Sequence, residues 1–307
     1  MDGHRRKRAL RNRTDGPGCG KMETMDRAAE ISAFLRSRRA RLSPTELGAP
    51  FDGRVRRVPG LRREEVARLA GMSPDYYMRI EQGRGGAVSL EIIDSIALAL
   101  RLDTVERNHL LNLCGTPTPH HTPGLEPQRV RPGLYDLLAV MESVPAIILG
   151  RRTDVLASNR LARALMTDFE ALPAPHRNYA RFILLDPKAR ELYQDWEQVS
   201  EQTTAMLHLD VGRFPDDRQL AELIRALREG CPEFTRFWDN QNVHEKDQGE
   251  IRFNHPSGGK FVLHYQTLLV PGEADQSVCT YYGAPGSSSE AALARLAGLT
   301  TSSPACA

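Results

Sequence analysis

One stretch, Arg62–Arg84 (RREEVARLAGMSPDYYMRIEQGR), leaves this chain few ways to fold. From Arg63 to Ala70 the apolar residues Val66, Ala67, Leu69 and Ala70 recur at helical spacing. Gly71 then stops the helix, because glycine enters the left-handed region at little cost. Ser73 suits an N-cap, Pro74 suits the first helical position, and Asp75 complements the positive end of the next helix. That second helix is expected to bury Tyr77 and Ile80 and to end at Gly83. Ala67 is small where the two helices must cross closely. The whole order describes a helix-turn-helix. An αα-hairpin in an ordinary bundle would share the helices and the turn. The outer face of the second helix argues against it, since Asp75, Tyr76, Arg79 and Gln82 are groups that read bases or hold phosphates.

Charge follows the same division. Residues 1–100 carry 20 Lys and Arg against 13 Asp and Glu, whereas 101–307 carry 21 against 26, so a net charge of +2 conceals a basic first third. A polyanionic partner requires its basic surface where the reading helix is. A length of 307 residues suggests two domains. The five cysteines (Cys19, Cys114, Cys231, Cys279, Cys306) are odd in number and include no C-x-x-C, which fits reduced thiols in a cytoplasm. The basic N-terminus lacks the apolar core of a secretory signal, and no apolar run reaches the ~20 residues of a membrane helix.

Met1–Thr24, with HRRKRALRNR, is expected to be disordered, and Met22 and Met25 are alternative starts. Asp26–Leu42 reads as a first helix with Ala29, Ala33, Leu35 and Leu42 as its stripe, ended by Ser43-Pro44. Residues 43–61 form a connection rich in Gly and Pro; its Arg54, Arg56 and Arg57 are expected to meet phosphates. Ser89 caps a fourth helix, Leu90–Leu102, and Asp103 with Glu106 is a capping box for a fifth, to about Leu113. Thr116–Gly124 (TPTPHHTPG) reads as a linker.

Beyond it, Gly133–Ser143 reads as a helix, and Ala146–Leu149 with Asp154–Ala157 as a hairpin around Gly150-Arg151-Arg152. Helices follow at Arg160–Met166 and Tyr179–Leu185, then one long helix from Pro187 to about Leu209, then Asp217–Glu229 and Glu233–Asn240. Three strands come last: Glu250–His255, Lys260–Leu269 and Val278–Gly283. Both faces of Lys260–Leu269 are partly apolar, so one is expected to pack on helices and the other to line something. The segment after Pro285 reads as a loose tail with a short helix at Glu290–Ala297.

Enzyme signatures do not occur. The sequence contains no H-E-x-x-H, G-x-S-x-G, P-loop or G-x-G-x-x-G. His244, His255 and His264 lack a metal-ligand spacing, and Cys114 with His120 and His121 falls on the linker. Neither metal nor catalysis is expected.

The first five helices resemble the Cro/C1-type (Xre-like) DNA-binding domain, and RRVPGLRREEVARLAGMSPDYYMRIEQGRG resembles the MmyB-like branch of actinobacterial regulators. RRTDVLASN, PKARELYQDWE, CPEFTRFWDNQNVHE, IRFNHPSGGKFVLHYQTL and GAPGS resemble the ligand-binding domain of the same branch. The chain departs from that pattern at Tyr179-Ala180 and at Ser257-Gly258. The resemblance spans about Asp26 to Ser287 and implies a transcription regulator whose PAS-like sensor domain holds a fatty-acid-like molecule.

The expected architecture is an all-α N-terminal helix-turn-helix domain of five helices and an α+β, PAS-like C-terminal domain with an antiparallel sheet. Its parts are a disordered basic arm (1–25), the DNA-binding domain (26–115), a Pro-rich linker (116–126), the ligand-binding domain (127–286) and a flexible tail (287–307). Base and phosphate contacts are assigned to Arg63, Ser73, Pro74, Asp75, Tyr76, Arg79, Gln82, Arg56 and Arg57. On the Cro/C1 pattern, Glu81 points inward to Arg39 as a structural ion pair. Ligand contacts are assigned to Phe182, Trp196 and Tyr265, with Phe237 and Trp238 near by. Arg177 and Asn178 either hold a carboxylate or cap the following helix. The expected partners are double-stranded DNA, a second copy of the chain as a homodimer, and a small apolar ligand, a bound fatty acid, with no membrane. The rival readings are a helical module for protein partners and a regulator whose second domain only dimerises.

Overall fold

The computed structural model describes residues 26–43, 60–115 and 127–301. The basic arm, Arg54, Arg56 and Arg57, the linker with His120 and His121, and the last residues lie outside them.

Five helices make the first half: α1 (Arg27–Arg41), α2 (Arg63–Leu69), α3 (Pro74–Glu81), α4 (Leu90–Ala99) and α5 (Thr104–Cys114). Their ends are set by local chemistry. Asp26 accepts from the amides of Ala28 and Ala29, Ser73 from Tyr76, and Asp103 and Glu106 close a capping box. Gly71 and Gly83 both lie at φ +67, and a Cβ on Gly83 would come within 2.5 Å of the Ala28 side chain. The core joins Phe34, Leu35, Leu61, Val66, Tyr77, Ile80, Ile93, Ile96 and Leu110. On α1 the inward stripe is Ile31, Phe34 and Leu35; Ala29 is exposed and Ala33 only half-buried. The larger side chains win the interior because they bury more apolar area.

The second half is α+β. Its sheet has the order β2-β1-β5-β4-β3, from β1 (Ala146–Leu149), β2 (Val155–Ser158), β3 (Gln248–His255), β4 (Gly259–Val270) and β5 (Glu273–Tyr282), every pair antiparallel. β5 enters between β1 and β4, uniting the early hairpin with the late strands. The helices are α6 (Pro132–Val140), α7 (Arg160–Leu165), α8 (Tyr179–Leu185), α9 (Pro187–Leu192), α10 (Trp196–Arg213), α11 (Arg218–Gly230), α12 (Pro232–Asp239) and α13 (Ser288–Thr301). Most of the apolar core lies between these helices and one sheet face, which carries Phe253, Phe261, Leu263, Tyr265 and Tyr281.

Three expectations change. The long helix from Pro187 to Leu209 is two helices. Tyr193 bridges to Phe253, and the Gln194 amide donates to the Arg252 carbonyl at 2.9 Å, so this segment pairs with the sheet edge instead of continuing the helix. α6 stops at Val140, and Asn159 takes up the freed carbonyls of Met141 and Val144 at 2.8 and 2.7 Å. The segment after Pro285 forms α13, which buries Ala292, Leu293 and Leu296 in the core. On β4 the face away from the main core is open at Val262 and Leu268, and only Val270 at the strand end is buried there, with Ala146, Ile148 and Val278.

Among the described residues, no helix is long and apolar enough to cross a membrane. Cys114, Cys231 and Cys279 are buried free thiols.

The two halves meet where α5 and α1 pack on α10 and on the segment after α12. Arg38 pairs with Glu106 at 2.8 Å and donates to the Gln241 carbonyl at 2.6 Å. His109 on α5 sets its ring edge-on to Phe34 at 4.9 Å. Its other side meets Gly212 of α10, where a Cβ would lie 2.9 Å from Nδ1. His208 on α10 stacks on Trp238 at 3.9 Å, and its Nε2 lies 3.0 Å from the Trp238 carbonyl, which can only accept and so fixes the proton on Nε2.

Burial, helped by nearby cations, pushes His109 down to about 3. Burial pushes His208 down to about 4, against the pull of its bond to Trp238. The folded protein therefore refuses protons that the unfolded chain accepts below its ordinary histidine value of 6.5. Stability is full above that pH and is lost as the pH falls toward 4. Asp210, raised to about 6 by burial, works the other way below pH 6. From His109, His208 and Asp210 together, the loss between pH 7 and pH 5 is expected to be about 2–3 kcal/mol, read from urea unfolding. His208→Gln should remove roughly half of the histidine part of that slope.

Candidate nucleic-acid interface and ligand pocket

α3 is held from behind. Tyr77, Ile80 and Glu81 are 0%, 1% and 0% exposed. Glu81 lies between two guanidinium groups, Arg39 Nε at 3.3 Å and Arg63 Nε at 2.8 Å. Arg39 also donates to the Leu61 carbonyl at 2.6 Å, which ties α1 to the start of α2. The Tyr77 hydroxyl shares this interior; burial first, then the Glu81 charge, raises its pKa above the usual tyrosine value.

The other side of α3 is open. Ser73, Pro74, Asp75 and Arg79 are exposed, and Tyr76 and Gln82 are half-buried. Ser73 is used as the N-cap, its Oγ 3.2 Å from the Tyr76 amide. Arg63, expected to meet phosphate, is instead Glu81's second partner through Nε, although its side chain is 42% exposed. Arg68 at the end of α2 and Arg84 just past Gly83 are exposed beside α3 and were not singled out from the sequence. Their signal was a basic residue flanking each end of the reading helix. Arg56 and Arg57 lie outside the described residues. An apolar groove of about 420 Å³ runs between α1, Gly83–Val88 and the end of α5.

In the second half most residues expected at a ligand are engaged elsewhere. Asn178 N-caps α8, its Oδ1 2.9 Å from the Arg181 amide. Its Nδ2 donates to the Arg152 carbonyl at 2.7 Å and to Asp154 at 2.8 Å, which uses both amide donors. These bonds brace the turn between β1 and β2, where Arg152 and Thr153 take positive φ. Arg177 donates to the carbonyls of Leu172 and Glu170, both at 2.9 Å. Phe182 is core, edge-on to Phe169, as are Phe237 and Trp238. Trp196 donates to the Ile183 carbonyl at 2.7 Å under the Arg190 guanidinium.

Tyr265 is the exception. It lines a cavity of about 10 Å³ with Tyr179, Val199, Gln202, Thr203, Met206, His244, Lys246 and Ile251. Lys246 lies in the irregular segment before β3 and is half-buried, its ammonium turned to a set of tyrosine rings. The Nζ lies 4.6, 4.9 and 5.1 Å from the ring centres of Tyr179, Tyr265 and Tyr281. It also donates to the Tyr281 hydroxyl at 2.9 Å and the Tyr179 hydroxyl at 3.4 Å. Burial alone would lower its pKa; Cys279 and the phenols around it more than offset this and hold it above the usual lysine value. Gly249 faces Tyr265 across the β3–β4 ladder, and a Cβ there would lie 2.7 Å from the phenol oxygen. A side chain at 249 would therefore push that ring off its place in the cage. Burial lowers the pKa of His244, whose Nε2 is buried without a hydrogen-bond partner. Among the described residues, no cluster of His, Cys, Asp and Glu could hold a metal ion.

Comparison with protein families divides the chain at the same place. A helix-turn-helix domain model matches residues 30–110. A model of the MmyB-like transcription regulator ligand binding domain matches residues 130–296, slightly more than half of the chain. No curated protein matches it.

The Glu81 cluster gives a direct test. Glu81→Gln leaves Arg39 buried without its counter-charge and should cost about 3–5 kcal/mol of unfolding free energy. Arg63→Ala removes a half-exposed partner and should cost about 1 kcal/mol or less. Urea titration of the two variants checks the order.

Proposed function

The chain belongs to the MmyB-like transcription regulators, and from that premise we propose how its parts read DNA and answer a ligand. It is a helix-turn-helix, ligand-responsive regulator of transcription. In the proposed reading α3 enters the major groove of double-stranded DNA, with Asp75, Tyr76, Arg79 and Gln82 toward base edges. Arg68 and Arg84 lie along the phosphates, while Arg63 holds Glu81 behind the helix. The observation that carries it is the split of α3 into a buried side, Tyr77, Ile80 and Glu81, and an outer side with Asp75 and Arg79 exposed.

The second domain takes a small apolar, fatty-acid-like molecule. Its sheet order supports the PAS-like architecture that the resemblance implies. α10 supplies the route between the two sites. Val199, Gln202, Thr203 and Met206 line the cavity, and Gly212 on the same helix lies against His109 of α5. A ligand that moves α10 reorients the reading helix, by no more than its difference in affinity for the two arrangements. The regulator acts as a homodimer in the cytoplasm, one α3 for each half-site.

Arg79→Ala is expected to weaken binding to the specific operator by about 1–3 kcal/mol while leaving nonspecific binding nearly unchanged. Wild-type affinity should fall steeply as salt rises, because phosphate contacts release counterions. Fluorescence anisotropy over a salt series reads both. Partner binding indifferent to salt would favour the protein-interaction module instead.

A further inference from the structure

Lys246 is the one cavity-lining side chain with a fixed positive charge. Three rings from three elements surround it: Tyr179 from α8, Tyr265 from β4 and Tyr281 from β5. Among the described residues it makes no ion pair with a carboxylate; its hydrogen bonds go to two phenols. Ring faces and hydroxyls ease the partial burial of an ammonium, but they leave its charge uncancelled. Such a charge attracts an anion strongly.

The neighbours suit one. The phenols of Tyr179 and Tyr281 can turn their O–H groups from acceptor to donor roles. His244 presents an unpartnered, buried Nε2 on the same cavity wall. Gln202 adds an amide from α10, and Val199, Met206 and Ile251 make the remainder of the wall apolar. A single positive charge matches a monoanion better than a dianion, since a second negative charge would be buried unpaired. At about 10 Å³ the cavity has room for a water-sized group, so any apolar tail must part α10 from the sheet.

We propose that Lys246, inside its tyrosine cage, is the binding site for a carboxylate head group, with the apolar remainder of the ligand lying between α10 and the sheet. The proposal rests on the reading that this domain takes a small apolar, fatty-acid-like molecule, and adds to it the residue that anchors the head group. It also explains why Lys246 has no acidic partner: the ligand brings the counter-charge.

The test uses the full chain, wild type and Lys246→Met, titrated calorimetrically and by thermal melting with decanoate, decanol and acetate. The wild type should bind decanoate about 10-fold or more tighter than decanol, the worth of one charged hydrogen-bonded contact. Lys246→Met should lose that preference and keep its affinity for decanol. If Lys246→Met does not fold, Tyr281→Phe keeps the ring and removes one hydroxyl, and should weaken decanoate severalfold without affecting decanol. Equal binding of decanoate and decanol by the wild type, or an undiminished preference in Lys246→Met, overturns the proposal and leaves the apolar-ligand reading standing. Stabilisation by acetate that depends on Lys246, with neither decanoate nor decanol bound, upholds the anion site and overturns the apolar-ligand reading. Binding of none of the three by the wild type overturns both.

Discussion

α10 has to satisfy partners on nearly every side at once. Val199, Thr203, Leu207, His208, Leu209, Val211 and Gly212 are all buried, facing variously the sheet, α8, α12 and α5 of the other half. The long charged side chains of Glu197 and Arg213 are left to exposed positions at its two ends, and two of its buried hydroxyls are satisfied within the helix. Thr203 and Thr204 donate to the carbonyls of Val199 and Ser200, four residues back, at 2.7 and 2.8 Å. Small residues set the close approaches: Gly212 admits the His109 ring. The result is one rigid element shared by the sensor cavity and the seam between the halves. Close-packed interiors do not deform continuously, so a displacement at one end has to appear at the other.

The reading head solves a smaller version of the same problem. α3 has only eight residues and would not be stable alone. Its rigidity comes from the apolar contacts of Tyr77 and Ile80 and from Glu81, which gathers Arg39 and Arg63 around one buried carboxylate. The outer side of α3 is thereby left free of internal duties. Asp75 and Arg79 make no ion pair with another described residue. The division of labour within eight residues follows from the helical period, which alternates the buried and exposed positions.

The cavity is assembled from the opposite kind of information. Tyr179, Lys246, Tyr265 and Tyr281 are separated by long stretches of sequence and meet only because β5 inserts beside β4 while α8 lies across the same face. Each ring alone is an ordinary core aromatic. Their joint enclosure of one ammonium is what gives the group a chemical character that none has separately. The same closure explains why Phe182 and Trp196 serve the core: they pack within the helical layer, away from Lys246.

What the sequence determined was local. Caps at Ser73 and Asp103, the stops at Gly71 and Gly83, and the spacing of Tyr77 and Ile80 were legible because each works within a few residues, through backbone groups that must be satisfied wherever the helix lies. The strands were legible from their alternation, though not their order. Tertiary structure decided the rest. Pairing of Tyr193 with Phe253 broke a helix whose period was otherwise intact, the core drew in α13, and Asn178 was claimed by the β1–β2 turn. Arg63 turned from phosphate to Glu81, and Lys246, in a segment with no period at all, became the charged centre of the cavity. The physical reason is range: hydrogen-bond caps and helical periods act between neighbours in the chain, whereas burial of a charge depends on which distant elements arrive to surround it.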